Sequence, residues 1–344
     1  MLAPRTQTPE ILRVPLEQLC LKIKATGQRD VEPFVASLLD PPSAVAVAAG
    51  LRVLKEISAV DEAGEILALG RHIVEIPADV HLGKMLIFGA LLGCLDPVLT
   101  IVACLAHRTP FLTPFDQRDA ATAAKRRLAT SKSDLLAYVT AFDGWQTARM
   151  QGRGAERHFC DTNFLSLATL YQVTDLRRDL FDTLVTVGVA ERRSGRVEGG
   201  GHALLGGEAF NANATDDRLV RSVVCAGLYP KVARIAMPPT VYMETENGSV
   251  AKPHEPRTLR FLTRDGGRVF LHPNSVNFTQ GTFEQPFVVF NEKVATAKVL
   301  LRDCTMVSAY ALLFFGGELR VAHEDQQIVL ESWFDRVCAE GNVD

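Results

Sequence analysis

Apolar residues recur at helical spacing through the first two-thirds of the chain. Leu16, Leu19, Cys20 and Ile23 follow the i, i+3, i+4, i+7 rule and predict an amphipathic helix over Pro15–Lys24. Asp40-Pro-Pro-Ser43 reads as a stop followed by an N-cap, and Val47, Leu51, Leu54 and Ile57 turn one face of the next helix, Ala44–Ser58, inward. Val60 to Gly64 reads as a turn and Ile66 to Leu69 as a short strand, so the order is helix, helix, small hairpin, as in a winged-helix domain. A helical array follows. Leu82–Gly93 and Pro97–His107 predict a hairpin, then come Arg118–Ala129, Ser133–Arg149 and Asp161–Val187, with Ser133 and Asp161 as caps. Phe142 and Trp145, three residues apart on a helix, and Tyr229 belong to the core. The apolar stretch Leu86 to Ala106 imitates a membrane span over about 21 residues. Asp96-Pro97 in its middle argues for two short buried helices instead, the second capped by Asp96 with Pro97 at its first position.

The pattern changes at Ser194. Residues Ser194 to Asp217 are glycine-rich without apolar periodicity and predict a mobile loop. One more helix, Arg218–Leu228, leads into short β-type runs. These are Val232–Met237, Thr240–Glu244, Thr258–Thr263, Arg268–Leu271, Phe287–Asn291, Lys298–Leu301 and Ala311–Gly316, with Asp265-Gly266-Gly267 as a hairpin turn. So many short strands in so short a segment predict a small β-barrel of the OB type. Glu324–Cys338, with Trp333 and Phe334, reads as a short acidic helix. The fold class is therefore mainly α with a C-terminal β-barrel: a winged helix, a helical bundle and an OB-fold.

With 344 residues, 47% of them hydrophobic and 22% charged, the chain can bury two or three cores. Its net charge of −3 excludes a histone-like binder, but the charge is uneven. Residues 217–320 carry a balance of +4 and residues 321–344 one of −5, so phosphate contacts are expected in the former. Seven cysteines at irregular spacing with no C-x-x-C read as reduced thiols. Met1 to Glu10 has no apolar signal core, and an intracellular protein of nucleus or cytoplasm, not a secreted one, is expected. His72, His81 and His107 have no metal-ligand spacing. No G-x-x-x-x-G-K-[ST], D-E-x-H, G-x-S-x-G or H-E-x-x-H occurs, and Gly199-Gly200-Gly201 has neither the strand nor the lysine of a phosphate loop. No catalytic residue and no metal site is predicted.

Several long phrases carry a resemblance. Thr8 to Lys24, Leu69-Gly-Arg71, Leu82-Gly-Lys-Met-Leu-Ile-Phe-Gly89 and Gly93-Cys-Leu-Asp-Pro-Val-Leu-Thr100 are four of them. Ser133-Asp134, Ala141-Phe-Asp-Gly-Trp145, Phe159 to Ser166, Cys225-Ala-Gly-Leu-Tyr-Pro230, His272 to Asn277 and Lys293 to Thr305 continue the series. From about Thr8 to Gly317 the chain resembles the region downstream of the motor in DEAH/RHA-type ATP-dependent RNA helicases, the RNA helicase A and maleless group. The resemblance implies the tail of a second RecA-like domain at 1–29 and a winged helix at 30–81. It further implies a ratchet-like helicase-associated domain at 82–236 with the loop at 194–217, an OB-fold at 237–320 and the acidic helix at 321–344. In the family these modules close a tunnel for single-stranded RNA against two RecA-like domains. The implied partners are single-stranded RNA, with DNA as an alternative, the RecA-like core and an activator protein. ATP and Mg²⁺ belong to the family's motor, and no cofactor is expected in this chain. Because Met1 falls just past the last motor motif, the chain alone is expected to lack ATPase activity. The alternative is a stand-alone RNA-binding or protein-interaction module.

Two segments are candidate RNA contacts. In His272-Pro-Asn-Ser-Val-Asn277, the side chains of His272, Asn274, Ser275 and Asn277 can offer donors after a strand, unless Pro273 and Asn274 only make a turn capped by Asn277. In Asn291 to Lys298, Lys293, Thr296 and Lys298 resemble the family's RNA-facing loop. Arg302 is a further candidate, with pairing to Asp303 or a neighbouring acid as the competing role. Lys125-Arg126-Arg127 reads as a solvated helix face, and Lys84 either faces the strand or pairs internally.

Overall fold

A computed structural model describes residues 9, 11, 14–28, 30–192, 204–238, 242–245, 248–251, 255–264, 267–317, 319–322, 327–330 and 334–338. The first apolar face forms α1 (Glu17–Ala25), which buries Cys20, Leu21 and Ile23. A short α2 (Val31–Ala36) follows, and α3 (Ala44–Glu56) starts where expected, with Ser43 Oγ accepting from Ala46 N at 3.2 Å. The expected strand at Ile66–Leu69 is reduced to one bridge, Val60 to Ile66, because Ala68 and Leu69 are strong helix formers and open α4 (Ala68–Glu75).

The apolar hairpin is α5 (Val80–Leu91) and α6 (Leu95–Ala106). Among the described residues no helix is long and apolar enough to cross a membrane. Asp96 is not the cap: Cys94 holds that position, and Asp96 lies buried in the first turn of α6. Its carboxylate ion-pairs with Arg177 at 2.6 Å and accepts Leu205 N at 2.9 Å. Asn211 Oδ1 accepts Asp96 N at 2.7 Å. These long-range partners correct the expected mobile loop, since 204–216 packs on α6; its glycine-rich part, 194–203, lies outside the described residues.

Next come α7 (Arg118–Leu128) and α8 (Asp134–Met150), the latter capped by Ser133 as expected, then α9 (Arg153–Thr162) and α10 (Leu167–Thr186). The single helix expected over Asp161–Val187 is broken at Asn163–Ser166, where Phe164 takes φ 52°, and Ser166 rather than Asp161 caps α10. Phe142 and Trp145 are core, and Glu156 accepts from both Trp145 Nε1 (3.0 Å) and Tyr171 Oη (2.9 Å). α11 (Asp217–Leu228) lies so close to α5 that a Cβ on Gly227 would come within 2.6 Å of Met85 Cβ.

Where these two helices meet, His81 is buried, its Nδ1–H donating to Gly227 O at 3.0 Å. Burial, helped by the charge of Lys231, lowers its pKa to about 4. Between that value and the ordinary pKa of about 6.5 the unfolded chain binds a proton that the folded chain refuses. Stability therefore falls as pH drops from about 6.5 towards 4, and His81→Gln is expected to flatten that part of the profile in urea unfolding at stepped pH. An unchanged slope in the variant would show that other groups govern the acid limb.

The C-terminal part holds β1 (Val232–Ala236), β2 (Tyr242–Thr245), β3 (Gly248–Ala251), β4 (Arg260–Thr263), β5 (Arg268–Leu271), β6 (Phe287–Val289), β7 (Glu292–Ala295), β8 (Val299–Arg302) and β9 (Thr305–Val307). Seven of them form one sheet in the order β7-β8-β5-β4-β1-β6-β9, antiparallel except for β5 with β8, while β2 and β3 pair separately. The turn expected between β4 and β5 at Asp265-Gly266 lies outside the described residues. The sheet is open, which corrects the expected closed barrel. The edges β7 and β9 do not pair, and the β9 edge is met instead by the start of α8 through a bridge from Ser133 to Thr305. One face buries Ile235, Phe261, Leu271, Val288 and Leu301.

Two further expectations are corrected. Ala311–Gly316 is not a strand but lies in α12 (Ala309–Phe315), because Ser308 Oγ caps Ala311 N at 3.2 Å and the run is rich in alanine and leucine. The expected acidic helix at 324–338 is replaced by β10 (Leu319–Ala322), β11 (Gln327–Leu330) and β12 (Phe334–Cys338), an antiparallel set in which Val321, Ile328, Val329 and Val337 favour strand. Trp333 lies outside the described residues.

Candidate nucleic-acid interface

Helices and sheet meet at a buried seam centred on Asp134, the first residue of α8. Asp134 is fully buried, and its carboxylate is surrounded by donors. Oδ2 accepts Ser275 Oγ at 2.5 Å and Cys304 N at 3.0 Å; Oδ1 accepts Val276 N at 2.9 Å and Lys125 Nζ at 2.8 Å. Lys125 also donates to Asn274 O at 3.0 Å, which ties α7 to the same loop. Asn277 Nδ2 bonds Lys132 O (2.9 Å) and Cys304 O (3.3 Å), and Ser133 Oγ meets Thr305 Oγ1 at 2.8 Å.

Three clefts border this seam along α7. One of about 400 Å³ lies between α6, α7 and β8, and another of about 810 Å³ between α7 and the loop 272–279. They share Thr113, Thr122, His272 and Asn274. A third, of about 1210 Å³, lies at the far end of α7 against α11 and shares Arg126 with the second. Lys125, Arg126 and Arg118 of α7, Arg108 before it, Lys132 after it, Arg218 and Arg221 of α11, and Arg302 of β8 border this path. Lys132 and Arg302 are partly neutralised by Glu284 (2.6 Å) and Glu292 (3.7 Å). Phe278, 44% exposed, lines the middle cleft, and Arg118 stands 4.6 Å from the ring of Phe115, which is 85% exposed.

The eight candidate residues separate into three sets. Ser275 and Asn277 are buried at 3% and 1% exposure and make their side-chain hydrogen bonds within the seam. His272, Asn274 and Arg302 line the smallest cleft. His272 turns back on itself, its Nδ1 accepting Asn274 N at 3.1 Å, and burial followed by the charges of Arg302 and Lys125 holds its imidazole below the ordinary pKa. Lys293, Thr296 and Lys298 sit on the β7–β8 hairpin and line none of the three clefts. In that hairpin Glu292 faces Arg302 and Lys293 faces Leu301, so alternation puts Lys293 on the opposite face from Arg302. Thr296 Oγ1 closes the turn onto Lys298 O at 2.8 Å, and Lys298 Nζ stands 4.7 Å from the Phe270 ring.

Arg302 pairs with Glu292, not Asp303. Lys84, left open by the sequence, is buried between α5 and α11, its pKa lowered by burial to about 8, and lines none of these clefts. Among the described residues no cluster of three or more His, Cys, Asp or Glu could hold a metal ion.

Residues 79–138 match the family model of the helicase-associated domain (HA2), ratchet-like, and residues 220–319 match that of the oligonucleotide/oligosaccharide-binding (OB)-fold. The chain is 37% identical over 330 residues to the ATP-dependent DNA/RNA helicase DHX36 of Rattus norvegicus, covering 95% of this chain and 31% of that protein. It is 38% identical over 317 residues to the DExH-box ATP-dependent RNA helicase DExH1 of Arabidopsis thaliana, covering 92% of this chain and 29% of that protein. The chain belongs to the DEAH-box helicase family. It corresponds to the family's C-terminal region and spans about a third of the length of the curated relatives it matches.

The two matched segments of this DEAH-box region are the two walls of the clefts. The HA2 match runs from Asp79 through α5, α6 and α7 into α8 and ends four residues after Asp134. The OB match supplies the loop 272–279, β8 and α11 from Val220 onward. Sequence reasoning misses Arg118, sets aside Arg126 as a solvated face, and does not see Asp134 as the joint. The basic run at 125–127 is the available signal; what it lacks is the sheet that faces it.

Proposed function

We propose that this chain is the nucleic-acid-gripping accessory region of an ATP-dependent helicase. A single strand, RNA first and DNA as the alternative, follows the path along α7 between helices and sheet. The observation that carries the reading is the adjoining run of clefts bordered by Arg108, Arg118, Arg126, Arg218 and Arg221 on an OB-type sheet in a chain whose net charge is −3. Guanidinium groups suit phosphate oxygens, and the exposed rings of Phe115 and Phe278 suit unstacked bases. We place a winged helix at 30–81, the ratchet-like helices at 82–236 and the OB unit at 237–320. His272, Asn274 and Arg302 serve as strand contacts, with Lys293, Thr296 and Lys298 as an outlying patch. A RecA-like motor, implied by the family resemblance, is the partner that converts ATP hydrolysis into movement. ATP and Mg²⁺ are assigned to that partner and to no residue of this chain.

The test compares a fluorescent single-stranded RNA with its own duplex in anisotropy titrations. Tighter binding of the single strand is expected, because the walls of the path approach from both sides and an unpaired strand can spread its bases. Equal or tighter binding of the duplex would contradict the proposal.

A further inference from the structure

The smallest cleft carries chemistry that a phosphate path does not require. Asp303, between β8 and β9, lines it in the left-handed conformation at φ 53°. Its Oδ1 accepts the hydroxyl of buried Tyr138 at 2.7 Å, and its Oδ2 has no partner among the described residues. The nearby cations are engaged elsewhere, Lys125 with Asp134 and Arg302 with Glu292. A carboxyl group fixed by a tyrosine and left with open acceptor positions calls for N–H donors. Left-handed geometry explains why a short polar residue stands here. It does not explain why this side chain lines a cleft of about 400 Å³, within the roughly 300–1,000 Å³ range of small-ligand pockets. Phe111 and Leu112 supply an apolar wall, and Arg108 and Arg302 also line the cleft.

Resting on the strand path proposed above, we infer that this cleft takes one guanine base turned out of the strand, with Asp303 accepting its N1–H and N2–H. Guanine is the base that presents two adjacent donors on its pairing edge. Uracil has one donor between two carbonyl oxygens, and the amino groups of adenine and cytosine sit beside an acceptor nitrogen that the carboxylate repels. Each carboxylate oxygen has two acceptor positions, so Oδ1 can hold Tyr138 and a base donor together.

The probe is a short oligouridylate with one central guanosine, titrated beside the all-uridine strand, the inosine strand that lacks the N2 amine, and the 1-methylguanosine strand that lacks the N1 proton. The guanosine strand is expected to bind on the order of tenfold tighter than all-uridine, with inosine between them and 1-methylguanosine at the uridine level. Asp303→Asn keeps a residue suited to the left-handed turn but replaces one acceptor by a donor. In that variant the guanosine and uridine strands should bind alike, and circular dichroism melting should show that it is folded. The base series uses the unaltered chain, so the inference can fail even if the variant does not fold. Binding of all-uridine RNA without guanosine preference overturns the guanine site alone. A guanosine preference that survives Asp303→Asn also overturns it. No binding of any strand overturns both this site and the strand path.

Discussion

Asp134→Ala is expected to destabilise the chain by about 3–5 kcal/mol, the cost of removing one partner from a buried charge pair. The carboxylate satisfies Ser275 Oγ, Val276 N, Cys304 N and Lys125 Nζ at 2.5–3.0 Å, and of these the groups of Ser275, Val276 and Cys304 are buried away from water. Because the same residue joins helices to sheet, the variant should also lose cooperativity. Tryptophan fluorescence and far-ultraviolet circular dichroism are expected to coincide during urea unfolding of the parent and to separate in the variant. Asp134→Asn keeps one acceptor while turning an amide donor towards other donors, so it should lie between the two. A urea midpoint for Asp134→Ala equal to that of the parent would refute the seam as the joint.

The second large effect concerns binding. Arg118 and Arg126 are exposed on one helix, line the middle cleft and make no ion pair with an acid among the described residues. Replacing both by alanine should weaken single-stranded RNA binding by about the same factor for different sequences, because phosphate contacts position a strand without reading it. It should also lower the slope of log affinity against log salt by roughly 0.7 for each phosphate that is no longer neutralised. Lys293→Ala with Lys298→Ala removes the same charge from the outlying hairpin and should change affinity and slope less. Anisotropy titrations at several salt concentrations check this. If the hairpin pair matters more than the α7 pair, the strand runs over the sheet edge and the cleft assignment is wrong.

How much of the fold and the site is legible in the sequence depends on distance along the chain. Ser43 and Ser133 are readable as caps because a cap acts over three residues. β5 appears at its expected limits, Arg268–Leu271, because its alternation and the glycines before it are local. The run of α12 is ambiguous in sequence: a short apolar segment satisfies both periods, and the Ser308 cap decides it. Asp96 looks like a cap until Arg177, 81 residues away, supplies its partner. The candidate interface suffers most from such distances. Asp134 and Ser275 are 141 residues apart, so nothing local shows that a serine read as a loop donor gives its hydroxyl to a buried carboxylate on α8. The lysine and arginines at 125–127 have different fates, one half-buried with its ammonium on Asp134 and one lining two clefts, and no helical period distinguishes them without the sheet.

The central claim is that a single strand lies along α7 and not along the sheet edge. Photo-crosslinking a 4-thiouridine-labelled single-stranded RNA to the chain, followed by peptide mapping, tests it most directly. The account predicts crosslinks in the peptides spanning 108–126 and 272–280, abolished by excess unlabelled strand. Crosslinks confined to 292–299, or to α1 through α4, would contradict it.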